Sequence, residues 1–161
     1  MLHIRSAVEQ DREAIWDALE PVIRAGEVFA LPRAMTKEAA LDYWFSPTHE
    51  VFVTEDEGHI LGTYYLRPNQ LGGGGHVANC GYLTHSNAVS RGVARAMCEH
   101  SLDYARGHGY RAMQFNFVIS TNTRAVALWQ SFGFQIVATL PEVFNHPTVG
   151  EVDAYVMFRK L

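Results

Sequence analysis

The stretch from Gly81 to Gly109, GYLTHSNAVSRGVARAMCEHSLDYARGHG, constrains the fold more than any other part of the chain. An apolar, strand-like run (Tyr82, Leu83) enters a short polar turn. The turn ends in Ser90-Arg91-Gly92-Val93-Ala94 and opens directly into an amphipathic helix. That helix carries Ala94, Met97, Cys98, Leu102 and Ala105 on one face and stops at Gly107 and Gly109. A turn of small residues at a helix start gathers several backbone N–H groups, and the helix dipole adds partial positive charge there. Such a turn is a natural seat for a phosphate. A strand feeding a helix that returns to another strand also makes the region a crossover unit of an α/β sheet.

The flanking sequence fills in the sheet. Residues 2–6 predict a first strand, and Ser6-Ala7-Val8-Glu9 has capping-box spacing before a helix bearing Ile15, Ala18, Leu19, Val22 and Ile23. Gly26 is its expected stop. Residues 27–35 form an apolar loop. Thr36 caps a second helix with Ala40, Leu41, Tyr43, Trp44 and Phe45, ended by Pro47. Residues 50–55 and 60–67 predict a hairpin around Asp56-Glu57-Gly58-His59. The glycines of Gly72–Gly75 open no helix, so they predict a surface loop rather than a phosphate cradle. Residues 76–85 are the expected fourth strand and 110–118 the fifth. A helix capped from Ser120-Thr121-Asn122 places Ala125, Leu128, Trp129 and Phe132 on one face. Residues 134–139 predict a sixth strand, 140–150 a loop with two prolines, and 151–159 a last strand. The order βααβββαβαββ predicts one domain over residues 1–161. Its mixed, mostly antiparallel sheet has about seven strands, flanked by about four helices.

Composition narrows the partners. The 161 residues carry a formal charge of −4, which argues against nucleic acid as main partner. The two cysteines, Cys80 and Cys98, have no metal-ligand spacing and are expected as reduced core thiols of a cytoplasmic protein. No metal site is expected. The charged start MLHIRSAVEQDRE does not predict a signal peptide, and no apolar run predicts a membrane span.

Two segments give the chain a family likeness. One is GYLTHSNAVSRGVARAM. The other is Asn122-x-x-Ala125-x-x-Leu128-Trp129-x-x-x-Gly133-Phe134. With these the sequence resembles the GNAT superfamily of acetyl-CoA-dependent N-acetyltransferases, over essentially its whole length. The family's turn, Gln/Arg-x-x-Gly-x-Gly/Ala, falls on Val89-Ser90-Arg91-Gly92-Val93-Ala94, with Val89 departing from the pattern and Ser90 or Arg91 left to supply a polar contact. Three further segments resemble the acetyltransferases of proline analogues and small amino acids: His76-x-x-Asn79-x-Gly81-Tyr82-Leu83, Phe115-Asn116-x-Val118-x-x-Thr121-Asn122, and Val152-Asp153-Ala154.

The resemblance implies a GNAT fold splayed between strands 4 and 5. It also implies direct acetyl transfer from acetyl-CoA to the amine of a small molecule. Leu83 and Thr84 are expected to present backbone N–H groups to the acetyl and pantetheine groups. Residues Val89–Ala94 would hold the pyrophosphate, and Asn122, Ala125 and Trp129 would line the cofactor path, with Asn122 touching the pantetheine arm or merely capping its helix and Trp129 belonging to the core stripe rather than to catalysis. The usual proton-donating Tyr is Trp129 here, which has no acidic proton. A general acid is worth about 10²–10⁴-fold, and a thiol of pKa about 8.5 leaves tolerably as thiolate, so the change slows the reaction without abolishing it. Asn79 and Asn116 are amides in apolar strands. They either bridge the splay or face the acceptor. Phe29, Leu31, Phe144 and His146 wall the acceptor pocket or pack their loops. The base stays open among His76, His85, Tyr82, Glu27 and solvent. A protein amino terminus or lysine is the alternative acceptor, and an acyl-CoA sensor without turnover the alternative class. A homodimer is left open.

Overall fold

A computed structural model describes all residues from Met1 to Leu161. Strand β1 (His3–Ser6) leads into helices α1 (Arg12–Ala25) and α2 (Lys37–Trp44), then strands β2 (Glu50–Asp56), β3 (His59–Pro68) and β4 (Val77–Thr84). Helix α3 (Val93–Gly107), strand β5 (Ala112–Ile119), helix α4 (Thr123–Ser131) and strands β6 (Gln135–His146) and β7 (Gly150–Lys160) complete the chain. One seven-stranded sheet has the order β1-β2-β3-β4-β5-β7-β6. Every neighbouring pair is antiparallel except β4 and β5.

Strand alternation divides the core between the two faces of this sheet. Tyr64, Leu66, Ala78 and Cys80 pack with Met97, Cys98 and Leu102 of α3 and with Trp129 of α4. Tyr65, Leu83 and Val53 face the other way, onto Ile15, Leu19 and Ile23 of α1 and Trp44 of α2. Both cysteines are free and buried, and burial pushes the Cys98 thiol up to about 12, so neither is a reactive thiolate near neutral pH.

Two local expectations change. Ser6 does not cap α1. A short 3₁₀ turn, Glu9–Asp11, precedes the helix, and Asp11 Oδ2 accepts from the Val8 N–H at 2.7 Å. The Arg5 guanidinium holds that carboxylate with bonds of 2.8 and 3.0 Å. Residues 140–150 are not a loop. Strand β6 continues to His146, and its two prolines fall at places that need no ladder donor. Pro141 sits where the register shifts between Leu140 and Phe144, and Pro147 lies in the tight turn to β7. Glu142, at φ 51°, donates its N–H to Asp153 Oδ1 at 3.0 Å and so replaces the interrupted rung. Thr36 caps α2 as expected, its Oγ1 accepting from the Ala39 N–H.

Candidate active site

The parallel seam between β4 and β5 is two residue pairs long, Val77↔Ala112 and Ala78↔Met113. Beyond them the strands part. On its other side β4 stays paired to β3, with Arg67 opposite Asn79, Tyr65 opposite Gly81 and Thr63 opposite Leu83. The ladder bonds of an antiparallel pair engage alternate residues. The His85 N–H reaches Leu61 O, and the Asn69 N–H reaches Val77 O. The period of two therefore turns the backbone of Leu83, Gly81 and Asn79 toward β3, and that of Cys80, Tyr82 and Thr84 into the gap. This corrects the expectation for Leu83: its amide belongs to the β3 ladder, whereas Thr84 and its neighbour-but-one Tyr82 face the splay.

Asn79 marks where the seam opens. It is 6% exposed, and its Nδ2 donates to Gln114 O at 2.8 Å, the carbonyl that the Cys80 N–H would meet if the ladder continued. Its Oδ1 accepts no bond from the protein and opens on the cavity described below. Asn116 is bonded at both ends of its amide. Its Nδ2 donates to Asn69 Oδ1 at 2.7 Å and its Oδ1 accepts from Gln114 Nε2 at 2.9 Å. Of the two expectations for these amides, bridging the splay is the one the Asn79 partner fits, while Asn116 ties β5 to the chain after β3 and keeps a second Nδ2 hydrogen on a residue that lines the cavity.

At the far end of β4 the chain turns through Ser86–Ala88 and enters α3. Gly92 has φ 79°, the left-handed region where a side chain is strained, and a Cβ there would meet nothing within 4 Å. The cradle is thus open to solvent and closed to side chains by backbone conformation. Ala96 makes the first intrahelical bond, to Gly92 O, and the N–H groups of Gly92, Val93, Ala94 and Arg95 have no acceptor in the protein. Ser90, at φ 70°, presents its Oγ to Arg124 Nη2 at 2.9 Å. Arg91 turns the other way, toward Asp56 Oδ2 at 3.3 Å, and is corrected out of this cradle: an ion pair on the opposite side of the turn holds it. Val89, nearly half exposed, lines the cradle with no polar atom.

The cradle and the splay open into one cavity of about 920 Å³. Its lining includes Thr84, Val89, Ser90, Gly92, Val93 and Ala94 at one end, and Asn122, Ala125 and Trp129 of the α4 region along one side. Asn79, Asn116, Leu83 and Phe29 complete the expected set. Phe144 does not line it. As part of extended β6 it sits opposite Val152 and meets Phe117 edge-on at 6.3 Å. His146 is likewise drawn into the β6–β7 turn, where its Nδ1 accepts from the Thr148 and Val149 N–H groups.

Sequence reasoning missed the residues that β3 and α2 bring to the acceptor end: Tyr43, Tyr65 and Arg67. Tyr43 and Tyr65 share a hydroxyl hydrogen bond of 3.0 Å, and the His49 ring stacks on Tyr65 at 4.0 Å. Gly81 is required beneath this group, since a Cβ there would lie 2.4 Å from the Tyr65 ring. The available signal was the alternation of β3, which puts Thr63, Tyr65 and Arg67 on the same face as Leu83. Arg67 is half-buried, pairs with no carboxylate, and makes a single 3.5 Å contact to the adjacent Pro68 carbonyl.

No Asp, Glu, Lys or His lines the cavity; its charged residues are Arg67, Arg95 and Arg124. The expected bases fall elsewhere. His85 caps the short turn, accepting from the Asn87 N–H, while His76 and Glu27 are exposed outside the lining. The Tyr82 hydroxyl points away to Ser101 Oγ at 2.6 Å, and burial pushes it well above the usual tyrosine range. Trp129 packs on Tyr82 and Phe115, with ring centroids 4.8 and 5.1 Å away. The site therefore offers backbone donors at the splay, an anion cradle at one end and a polar, acid-free pocket at the other. An acyl thioester with a phosphate-bearing tail fits this set.

The acetyltransferase (GNAT) family model matches residues 13–134. The chain is similar to the GCN5-related N-acetyltransferase from Kribbella flavida, with 41% identity, coverage of 99% of this chain and 98% of that one, and a TM-score of 0.95. It is 26% identical to N-acetyltransferase aca1 of Schizosaccharomyces pombe over 83% of this chain and 72% of the relative. A Salmonella typhimurium acetyltransferase solved with its cofactor acetyl-CoA shares the fold, with a TM-score of 0.86, 21% identity, and coverage of 100% and 94% of the two chains. No helix is long and apolar enough to cross a membrane. With its splayed seam, its open glycine turn and a family match spanning most of its length, the chain belongs to the GNAT acetyltransferase family and is an acetyl-CoA-dependent N-acetyltransferase.

Proposed function

We propose that the chain moves the acetyl group of acetyl-CoA to the primary or secondary amine of a small, amino- or imino-acid-like molecule by direct transfer. The observation that carries this reading is the charge of the acceptor end. Arg67 stands there without a carboxylate partner, among Tyr43, Tyr65 and Phe29, in a cavity without acidic residues. A polyamine, an aminoglycoside or a lysine side chain brings net positive charge and calls for carboxylates. An α-amino or imino acid brings a carboxylate that a free guanidinium binds in a forked geometry. Arg67 lies opposite Asn79, five residues along β4 from Thr84, or about 17 Å of strand. The carboxylate would thus be held at the end of the slot remote from the phosphate cradle.

In this reading the neutral amine attacks the thioester carbonyl. The electron pair of the C=O bond moves to oxygen, and the N–H groups of Tyr82 and Thr84, freed by the splay, are placed to receive that charge. Collapse of the adduct expels coenzyme A as thiolate. The amine proton passes to solvent, because the cavity has no carboxylate or imidazole to take it. The test is coenzyme A release, followed by thiol detection, across amino acids, imino acids, their methyl esters, polyamines, aminoglycosides and short peptides. Turnover confined to free carboxylates, with an acceptor KM raised about 10- to 100-fold in Arg67→Gln, is the expected result. Preference for polyamines, esters or peptides overturns it.

A further inference from the structure

We propose that Arg124 is the side-chain cation of the phosphate turn, standing in from α4 for the Gln or Arg missing at Val89, and that it binds the pyrophosphate of acetyl-CoA. This rests on reading Gly92–Arg95 as the pyrophosphate cradle. Backbone N–H groups supply most of that cradle, but Val89 gives it no side-chain donor and Arg91 is spent on Asp56. Arg95 is directed elsewhere, its guanidinium 5.2 Å from the centre of the Phe132 ring. Arg124 comes from a different element. It sits in the first turn of α4, lines the same cavity, and reaches across to the turn with Nη2 on Ser90 Oγ at 2.9 Å.

That bond accounts for one donor of five, and no carboxylate neutralises the charge. The remaining fork is free to take two phosphate oxygens together, as lysine would not. Ser90 is held at φ 70°, a conformation that costs a non-glycine residue, and its hydroxyl is what anchors the guanidinium at the cradle's mouth. The strained serine and the α4 arginine work as one unit.

The test compares three acetyl donors on the wild type, Arg124→Gln, Arg124→Lys and Ser90→Ala: acetyl-CoA, acetyl-dephospho-CoA, which keeps the pyrophosphate but lacks the 3′-phosphate, and acetyl-pantetheine, which lacks both. Arg124 is exposed, so its substitution is compatible with folding. The readout is the ratio of kcat/KM for each CoA donor to that for acetyl-pantetheine. In Arg124→Gln both ratios are expected to fall about tenfold or more, through KM. Arg124→Lys should fall between, and Ser90→Ala should lose less than Arg124→Gln. A wild-type ratio near one overturns the pyrophosphate cradle itself and this proposal with it. A large wild-type ratio that Arg124→Gln leaves unchanged overturns the arginine alone. A loss seen with acetyl-CoA but not with acetyl-dephospho-CoA moves Arg124 to the 3′-phosphate and overturns the pyrophosphate assignment.

Discussion

Replacing Asn79 by alanine tests the strap across the splay. The wild-type side chain is nearly buried, and its Nδ2 donates to Gln114 O at 2.8 Å where the ladder ends. Alanine removes the donor and strands that carbonyl between two strands. An unpaired buried acceptor costs about 1–3 kcal/mol. At roughly 2–4 °C per kcal/mol for a domain of this size, Tm should fall by about 2–12 °C in a thermal scan. The kinetic consequence follows from position. Asn79 sets how far β5 stands from the Tyr82 and Thr84 amides, so loosening it should lower kcat while the KM values of acetyl-CoA and acceptor move together. Asn79→Asp keeps the volume but sets an oxygen against the Gln114 carbonyl, and should destabilise at least as much. An Asn79→Ala protein with unchanged Tm and a rise in acceptor KM alone would refute the strap, and would put the amide on the acceptor instead.

Other outcomes follow from the same geometry. Gly92→Ala, at φ 79°, should cost about 1–2 kcal/mol of stability by denaturant titration, whereas Gly92→Glu should abolish acetyl-CoA binding in calorimetry by setting a carboxylate in the cradle; retained affinity would mean the phosphates lie elsewhere. Because no carboxylate or imidazole lines the cavity, kcat/KM should rise with pH along the ionisation of the acceptor's own amine, so acceptors of different pKa should shift the break in parallel; a break common to all acceptors would mark a protein base. Burial holds His49 and His100 below the usual histidine pKa of 6.5, so the unfolded chain takes up protons first, and stability should decline as pH falls from about 6.5 toward their folded-state values. The Arg5 guanidinium holds Asp11 below the usual 3.8, so its contribution is complete above that value and is lost as pH falls through the lower folded-state value; His49→Gln and Asp11→Asn should each flatten their own part of the curve.

The sequence made the order of elements legible because each has strong local signals: the period of α3, the Thr36 cap, the glycines after α1 and α3. The open glycine turn before α3 was legible for the same reason, being contiguous. Pairing was less so. Whether the amide of Leu83 or those of its two neighbours face β5 depends on which residues β3 engages, a parity that no local pattern reveals. Arg67 and Arg124 were invisible as site residues because their relevance comes from strands and helices meeting in space, and a single arginine on a strand or helix reads as solvated surface. The β6 extension was hidden by Pro141 and Pro147, which signal a loop locally and are accommodated at a register shift and a turn. Arg91 misled in the opposite way: it is adjacent in sequence to the glycine of the turn, yet its side chain leaves on the far side to meet Asp56.

The two-pair seam also sets how the molecule carries load. Strands β1 to β4 form one plate and β5 to β7 another, and the only backbone rungs stitching them together lie at one end of a long slit. The slit is bridged near its opening by the amides of Asn79 and Asn116, and spanned at its far end by one guanidinium reaching across to a serine. A molecule lying along that slit would take the position of a missing strand, with the Tyr82 and Thr84 amides of one plate turned toward it. If acetyl-CoA binds there as proposed, it would be a structural member as well as a reagent, and the sheet would be mechanically complete only while it is being used.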